Sequence, residues 1–345
     1  MKLIKYISIL CLLLVGSFAN AQTEPNVNAY IYHLPLINSA SIARNSNFNF
    51  ALLHKSQWVQ FEGAPSFQML EANMPLDEAN YVGLTIQNRS IGIRTNQALA
   101  FNYTYKARLD YDGFIAFSLS PELRFFNEQQ STIQTDFAND PLYSYQDQSF
   151  LTANTRVGAL LYYKKIYFGI STPALLTNSY NSISNGGSVR FDMSDVQWNL
   201  YASYETLLNR ALFFYPAVLA KVTPGAPVQI DLNAYFNYRR KLGFGLSYQA
   251  LNNLSALFDY HFKQEYRIAY AYTHNFSSLA SFTPFGSHEI SFIYGIKNKV
   301  SNNYNLHKIL KKRKSAETTK RAKIPKKLKE TDKVGTKWKR RQPYH

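Results

Sequence analysis

From residue 47 onward, apolar and polar positions alternate with a period of two. Leu99, Phe101, Tyr103 and Tyr105 are separated by Ala100, Asn102 and Thr104, and Leu232, Ala234, Phe236 and Tyr238 by Asn233, Tyr235 and Asn237. Phe258, Tyr260 and Phe262 alternate with Asp259, His261 and Lys263, and Ile268, Tyr270 and Tyr272 with Arg267, Ala269, Ala271 and Thr273. A period of two places the sets on opposite faces of a strand, one aromatic and aliphatic, the other small or polar. Fourteen such runs are predicted: 47–55, 66–75, 80–88, 96–108, 113–126, 151–163, 166–172, 195–206, 211–222, 228–238, 242–249, 255–263, 266–273 and 287–297. Most are near the roughly 9–11 residues that a tilted transmembrane strand requires.

The links between runs also alternate. Residues 76–79, 109–112, 164–165, 207–210, 239–241 and 264–265 are short, whereas 127–150, 173–194 and 274–286 are long. An even strand count, with short turns at one end and long loops at the other, is the pattern of an outer-membrane barrel. The longest apolar stretch in this region, Ala211 to Ala220, is interrupted by Pro216 and falls well short of the roughly 20 residues a spanning helix needs. The expected fold is therefore all-β: a single antiparallel transmembrane β-barrel of about 14 strands, with both termini on the periplasmic, short-turn side. A soluble β-protein would alternate in the same way, so the decision rests on length, number and export.

Export is written at the start. Lys2 and Lys5 precede an apolar run from Tyr6 to Val15, and Ala19-Asn20-Ala21 supplies a small-x-small cleavage pattern. Cys11, the sole cysteine, lies inside that run, so cleavage after Ala21 would leave a mature chain without thiol chemistry. The predicted organisation is a signal peptide (1–21), a segment leading into the barrel (22–46), the barrel (47–297) and a basic periplasmic tail (298–345).

Charge changes the picture only at the tail. Residues 308–345 hold 16 Lys and Arg against three acids, while residues 22–307 hold 20 basic and 19 acidic side chains. The net charge of +16 thus belongs to a near-neutral body with a basic appendage, which argues against a nucleic-acid-binding globule. The tail is expected to be mostly disordered. Lys311, Lys312, Arg313, Lys314, Lys326, Lys327, Arg340 and Arg341 are its candidate tether to anionic headgroups, peptidoglycan carboxylates or acidic protein surfaces.

Catalytic chemistry is thin. The sequence has no nucleophile elbow, no phosphate-binding glycine loop and no zinc-type histidine pair, and no cofactor or metal is expected. His288 and Glu289 are neighbours in a strand and point to opposite faces, His288 to lipid and Glu289 to the lumen. Glu62 has no carboxylate partner for acid/base work. Long loop 127–150 carries Asp140-Pro141-Leu142-Tyr143-Ser144-Tyr145 and suits a binding or lumen-plugging role.

Several motifs carry a resemblance. Gln57-Trp58, Glu62-Gly63-Ala64-Pro65, Met74-Pro75-Leu76 and Tyr81-Val82-Gly83-Leu84 are followed by Tyr167-Phe168-Gly169-Ile170-Ser171, Gly225-Ala226-Pro227, Gly245-Leu246-Ser247-Tyr248 and Gly286-Ser287-His288-Glu289-Ile290. This ordered set, over about residues 28–297, resembles the PorP/SprF family of Bacteroidota outer-membrane proteins of the type IX secretion and gliding-motility system. The chain departs from the family pattern in lacking an early asparagine–proline pair and in its long tail. The resemblance implies a non-enzymatic accessory barrel that helps export and surface attachment of cargo such as large adhesins with C-terminal sorting domains. Partners among the periplasmic ring and peptidoglycan-associated components are implied with it. Gln57, Trp58, Glu62, Gly63, Ala64, Pro65 and Glu289 are the candidate cargo or partner contacts. A porin or solute channel, its lumen lined by Asp231, Asp259, Lys263 and Arg267, is the alternative that the barrel alone permits.

Overall fold

The computed structural model describes residues 27–45, 47–110, 112–132, 147–181, 186–250, 253–263, 265–276 and 285–296. The signal-peptide segment, the basic tail and the 140–145 motif lie outside them.

The strands are β1 (Phe48–Ser56), β2 (Ser66–Pro75), β3 (Asn80–Ile91), β4 (Arg94–Asp110), β5 (Gly113–Glu128), β6 (Gln148–Tyr163) and β7 (Ile166–Thr172), then a separate hairpin of β8 (Thr177–Asn181) and β9 (Gly186–Arg190). The wall resumes with β10 (Trp198–Tyr204), which β11 (Thr206–Leu207) continues past Glu205, and β12 (Leu212–Val222). It is completed by β13 (Gln229–Tyr238), β14 (Leu242–Gln249), β15 (Asn253–Phe262), β16 (Tyr266–Asn275) and β17 (Ser287–Ile296). Sequential neighbours pair antiparallel, β7 pairs with β10, and β17 returns to β1 in the register Phe48↔Ile296 to Ser56↔His288. Counting β10 and β11 as one stave gives a closed barrel of 14 strands. Closure leaves the barrel wall without an open edge, which a hydrocarbon environment demands. No helix among the described residues is long and apolar enough to cross a membrane.

The period-two pattern maps onto the two faces. On β4, Leu99, Phe101, Tyr103 and Tyr105 are exposed on the outside, whereas Ala100, Asn102 and Thr104 are buried towards the axis. The outside offers its apolar side chains to lipid; the inside is mostly polar or small. Three details depart from the sequence reading, the first being that the predicted loop 173–194 carries the β8–β9 pair. Strands β4 and β5 run 17 and 16 residues, continuing through Arg94, Thr95, Asn127 and Glu128, because ladder hydrogen bonds do not require apolar side chains. Between β3 and β4 the chain turns on Gly92-Ile93 alone, so one connection at the long-loop rim is short.

Residues 27–45 are not a simple lead-in. They lie inside the barrel, with Val27, Ala29, Tyr30, His33, Asn38 and Ala40 each at most 1 % exposed. A helical turn, Leu34–Ile37, and a 3-10 segment, Ser39–Arg44, fold them compactly. The segment packs on walls all round: Ala29 and Tyr32 against Tyr235, Leu257, Ala269 and Ala271; Tyr30, Leu34 and Ile37 against Tyr201, Ala217 and Leu219. Ala40, Ile42 and Ala43 meet Tyr81, Ala116 and Leu160, and Val27 and Leu36 meet Leu53, Phe67 and Met69. The chain's own residues 27–45 occupy the lumen as a plug.

Candidate functional site

A lumen wall of polar side chains can hold a non-repetitive segment only if that segment's backbone groups find partners. The strongest hold is at Glu289. Its carboxylate is 2.9 Å from Lys55 Nζ, its direct cross-strand partner at the β1–β17 seam, and both side chains are at most 2 % exposed. The same carboxylate accepts the backbone N–H of Asn28 at Oε1 and of Ala29 at Oε2, each at 3.0 Å. Three donors on two oxygens supply the hydrogen bonding that a buried ion pair requires. Asn28 Nδ2 adds a bond to Thr273 Oγ1 at 2.8 Å.

Further along, His33 Nε2 lies 2.8 Å from Ser291 Oγ, and Ser171 Oγ donates to Ile37 O at 2.7 Å. Asn38 Nδ2 donates to Ala159 O at 2.9 Å, Asn38 Oδ1 accepts from Ala40 N, and Lys106 Nζ donates to Ala43 O at 2.9 Å. Two wall glycines make the room for Asn38. A Cβ on Gly158 would fall 2.2 Å from Asn38 Oδ1, and one on Gly169 would fall 2.8 Å from Asn38 Nδ2.

Several other lumen charges are paired within the barrel. Glu122 contacts Arg124 and Arg156, the latter at 3.3 Å, and Lys221 meets Asp231 at 3.5 Å. Asp259 holds Arg267 and His261, each at 3.1 Å, and the Arg267 guanidinium lies 4.3 Å from the centre of the Tyr32 ring of the plug. Asp231, Asp259 and Arg267 thus face inwards as expected, as parts of a packed interior. Lys263 does not: β15 ends at Phe262, and Lys263 sits exposed in the turn at φ +55°. Among the described residues no group of three metal-ligating side chains occurs.

Candidate contacts 57–65 form the β1–β2 loop at the long-loop rim. Gln57 N donates to Pro65 O, Val59 N to Gly286 O, and Gly92 N to Gly63 O, which fastens the loop to its neighbours. Trp58 (φ +47°) and Gln60 (φ +74°) are left-handed, an uncommon conformation for a non-glycine residue and a strained one for a bulky side chain. The loop presents Phe61, Glu62 and Gly63 to solvent, whereas Pro65 is buried. A pocket of about 220 Å³ beside it is lined by Gln57, Trp58, Asn28, Gln249, Thr273 and Ser287, among others. Glu289 lies two residues below Ser287, under the loop, with its oxygens taken by Lys55 and the plug. His288 faces outwards against Tyr270, Nδ1 to hydroxyl at 2.7 Å. The candidate tether, Lys311 to Arg341, lies outside the described residues.

The plug was the element that sequence reading missed. Its signal is faint: residues 27–45 mix Tyr, Leu, Ile, Asn and Ser with no period.

At the opposite, short-turn rim, Asp77 accepts from Ala79 N, Asn80 N and Asn80 Nδ2, and these bonds, that from the Asn80 side chain foremost, hold its carboxyl below the ordinary 3.8.

Comparison with known proteins places this barrel. The sequence profile of the family described as type IX secretion system membrane protein PorP/SprF matches residues 19–294. No curated protein sequence matches the chain. Among solved structures it is similar to the CymD monoaromatic hydrocarbon channel, with 11 % identity and a TM-score of 0.44 over 82 % of this chain and 96 % of that one. It is also similar to the Ralstonia pickettii toluene transporter TbuX (10 %, 0.44, 76 % and 92 %) and to a Pseudomonas aeruginosa FadL homologue (10 %, 0.40, 80 % and 93 %). Likeness at this level carries nothing about function.

Proposed function

The chain belongs to the PorP/SprF family of type IX secretion system membrane proteins, and from that premise we propose that it is an accessory barrel of the secretion and gliding machinery. It assists the export and surface attachment of particular cargo, such as large adhesins, and it works by contact rather than by conduction. One observation carries the second half of this reading: residues 27–45 occupy the lumen and hydrogen-bond to its wall. A solute channel needs a water-filled path through the barrel, and here the plug lies across it, bonded to wall groups such as Glu289, Ser171 and Lys106. The strained, exposed loop 57–65 is the surface we assign to cargo. Held conformational strain at an exposed loop is a common mark of a binding surface. In this reading the long loops face outwards, and both termini, the basic tail included, lie in the periplasm beside the ring and peptidoglycan-associated components.

Deleting the gene and quantifying surface and secreted proteins by mass spectrometry tests the reading. Loss of one or a few large proteins with C-terminal sorting domains is the expected result. An unchanged secretome with impaired solute uptake would overturn it in favour of a channel.

A further inference from the structure

The short-turn mouth of the barrel contains a cavity of about 640 Å³ that the plug leaves open. Arg44, Arg239, Arg240 and Lys241 line it together with Tyr204 and Tyr215. Among the described residues none of these four cations has an ion-pair partner: Arg44 lies 4.1 Å from the Tyr167 ring centre, Arg239 rests over Tyr238 and Arg240 over Phe213. Glu205 is the one carboxylate among the lining residues, while the lining Arg267 is already held by Asp259.

The backbone beneath two of these cations adds an independent observation. Arg239 and Arg240 both adopt left-handed conformations, at φ +52° and +54°. A tight hairpin turn needing positive φ at successive positions is built most cheaply from asparagine and glycine. The β6–β7 turn at the same rim repeats the choice, with Lys164 at φ +46° and Lys165 at +78°. Cations thus occupy positions where an uncharged turn would fold more easily. The Arg44 side chain, contributed by the plug, completes the ring from within.

We infer that this mouth is a binding site for an acidic peptide segment of a partner protein. Arginine forks match carboxylates in geometry, and the tyrosines give an inserted side chain an apolar wall with a polar tip. The recess opens inside the ring of strands, whereas lipid headgroups lie around its outside, so a peptide end or loop fits it better than a membrane surface. The inference depends on the proposed function only for which compartment the mouth faces, so the binding test can fail without touching that reading.

The test uses the full chain in detergent and fluorescence anisotropy with a labelled glutamate-rich peptide, against a glutamine-rich peptide of equal length. The acidic peptide is expected to bind in a salt-sensitive manner. Replacing Arg239→Asn together with Arg240→Gly should weaken it about tenfold or more. The same change should leave the melting temperature equal or raise it, because it relieves the turn. The pair Arg240→Gln with Lys241→Gln, which keeps the turn's first residue, should also weaken binding. The basic tail is present in every variant and contributes equally. Unchanged affinity in both variants would assign the binding to the tail and overturn the inference. So would wild-type, but not variant, binding to phosphatidylglycerol nanodiscs with no binding of the peptide.

Discussion

Replacing Glu289→Ala removes the anchor of the plug and strands its partners. Lys55, 2 % exposed, would lose its counter-charge, and the N–H groups of Asn28 and Ala29 would lose their acceptor. Removing one member of a buried ion pair costs about 3–5 kcal/mol. If that loss falls on plug docking, the undocked population rises between about two and four orders of magnitude. Leu36→Cys, made with Cys11→Ser so that the introduced thiol is the sole one, reports it: Leu36 is 8 % exposed in the plug, and Cys11 is the only native cysteine. Thiol labelling of Cys at that position should be slow in the parent and faster by that factor after Glu289→Ala. The double change Lys55→Met with Glu289→Leu removes both charges and should cost less than Glu289→Ala alone. Equal labelling rates in parent and Glu289→Ala protein, both folded by heat-modifiability on gels, would refute the role given to the carboxylate.

Other outcomes follow from the same geometry. Deleting residues 27–45 should turn a barrel silent in planar lipid bilayers into a conducting one, and silence in both would show that something else closes the lumen. Gly158→Ala pushes a Cβ to 2.2 Å from Asn38 Oδ1, so it should lower stability by about 1–3 kcal/mol in thermal unfolding. Phe101→Lys, on the outer face near the middle of β4 and 51 % exposed, should cost about 2–4 kcal/mol in urea unfolding from lipid vesicles if this face meets hydrocarbon. Asp77→Asn should lower the melting temperature slightly at neutral pH. Because the folded-state value of Asp77 is held below the ordinary 3.8, its contribution is present above that pH and lost as pH falls through the folded value, so the parent–variant difference should vanish in acid.

The wall was legible because a strand with lipid on one side and a packed interior on the other imposes a period of two on every residue. Thus 66–75, 166–172 and 242–249 coincide with β2, β7 and β14. Where side chains leave the lipid band the period stops though the ladder does not, and β4 and β5 therefore outran their predicted ends. The plug obeys another rule. Its burial is specified by partners on strands all round the barrel, some far off in sequence, as with Asn38 and Ala159 or Asn28 and Glu289, and no local pattern records such pairs. Glu289 could be placed on the inner face from its phase, but not matched to Lys55 without knowing that β17 closes on β1. Lys263 failed for a simpler reason: its phase was right, and the strand ended one residue earlier.

The hook and the seam share one pair of residues. Lys55 belongs to the first strand and Glu289 to the last, and the segment they hold precedes both in the chain. A polypeptide delivered from its N-terminus therefore presents the plug early and the means to fasten it last. Without β17 the cylinder would be open along one side, and its stopper would lack the Glu289 carboxylate. Pairing β17 with β1 thus closes the wall and supplies the carboxylate hold on the plug through the same two residues.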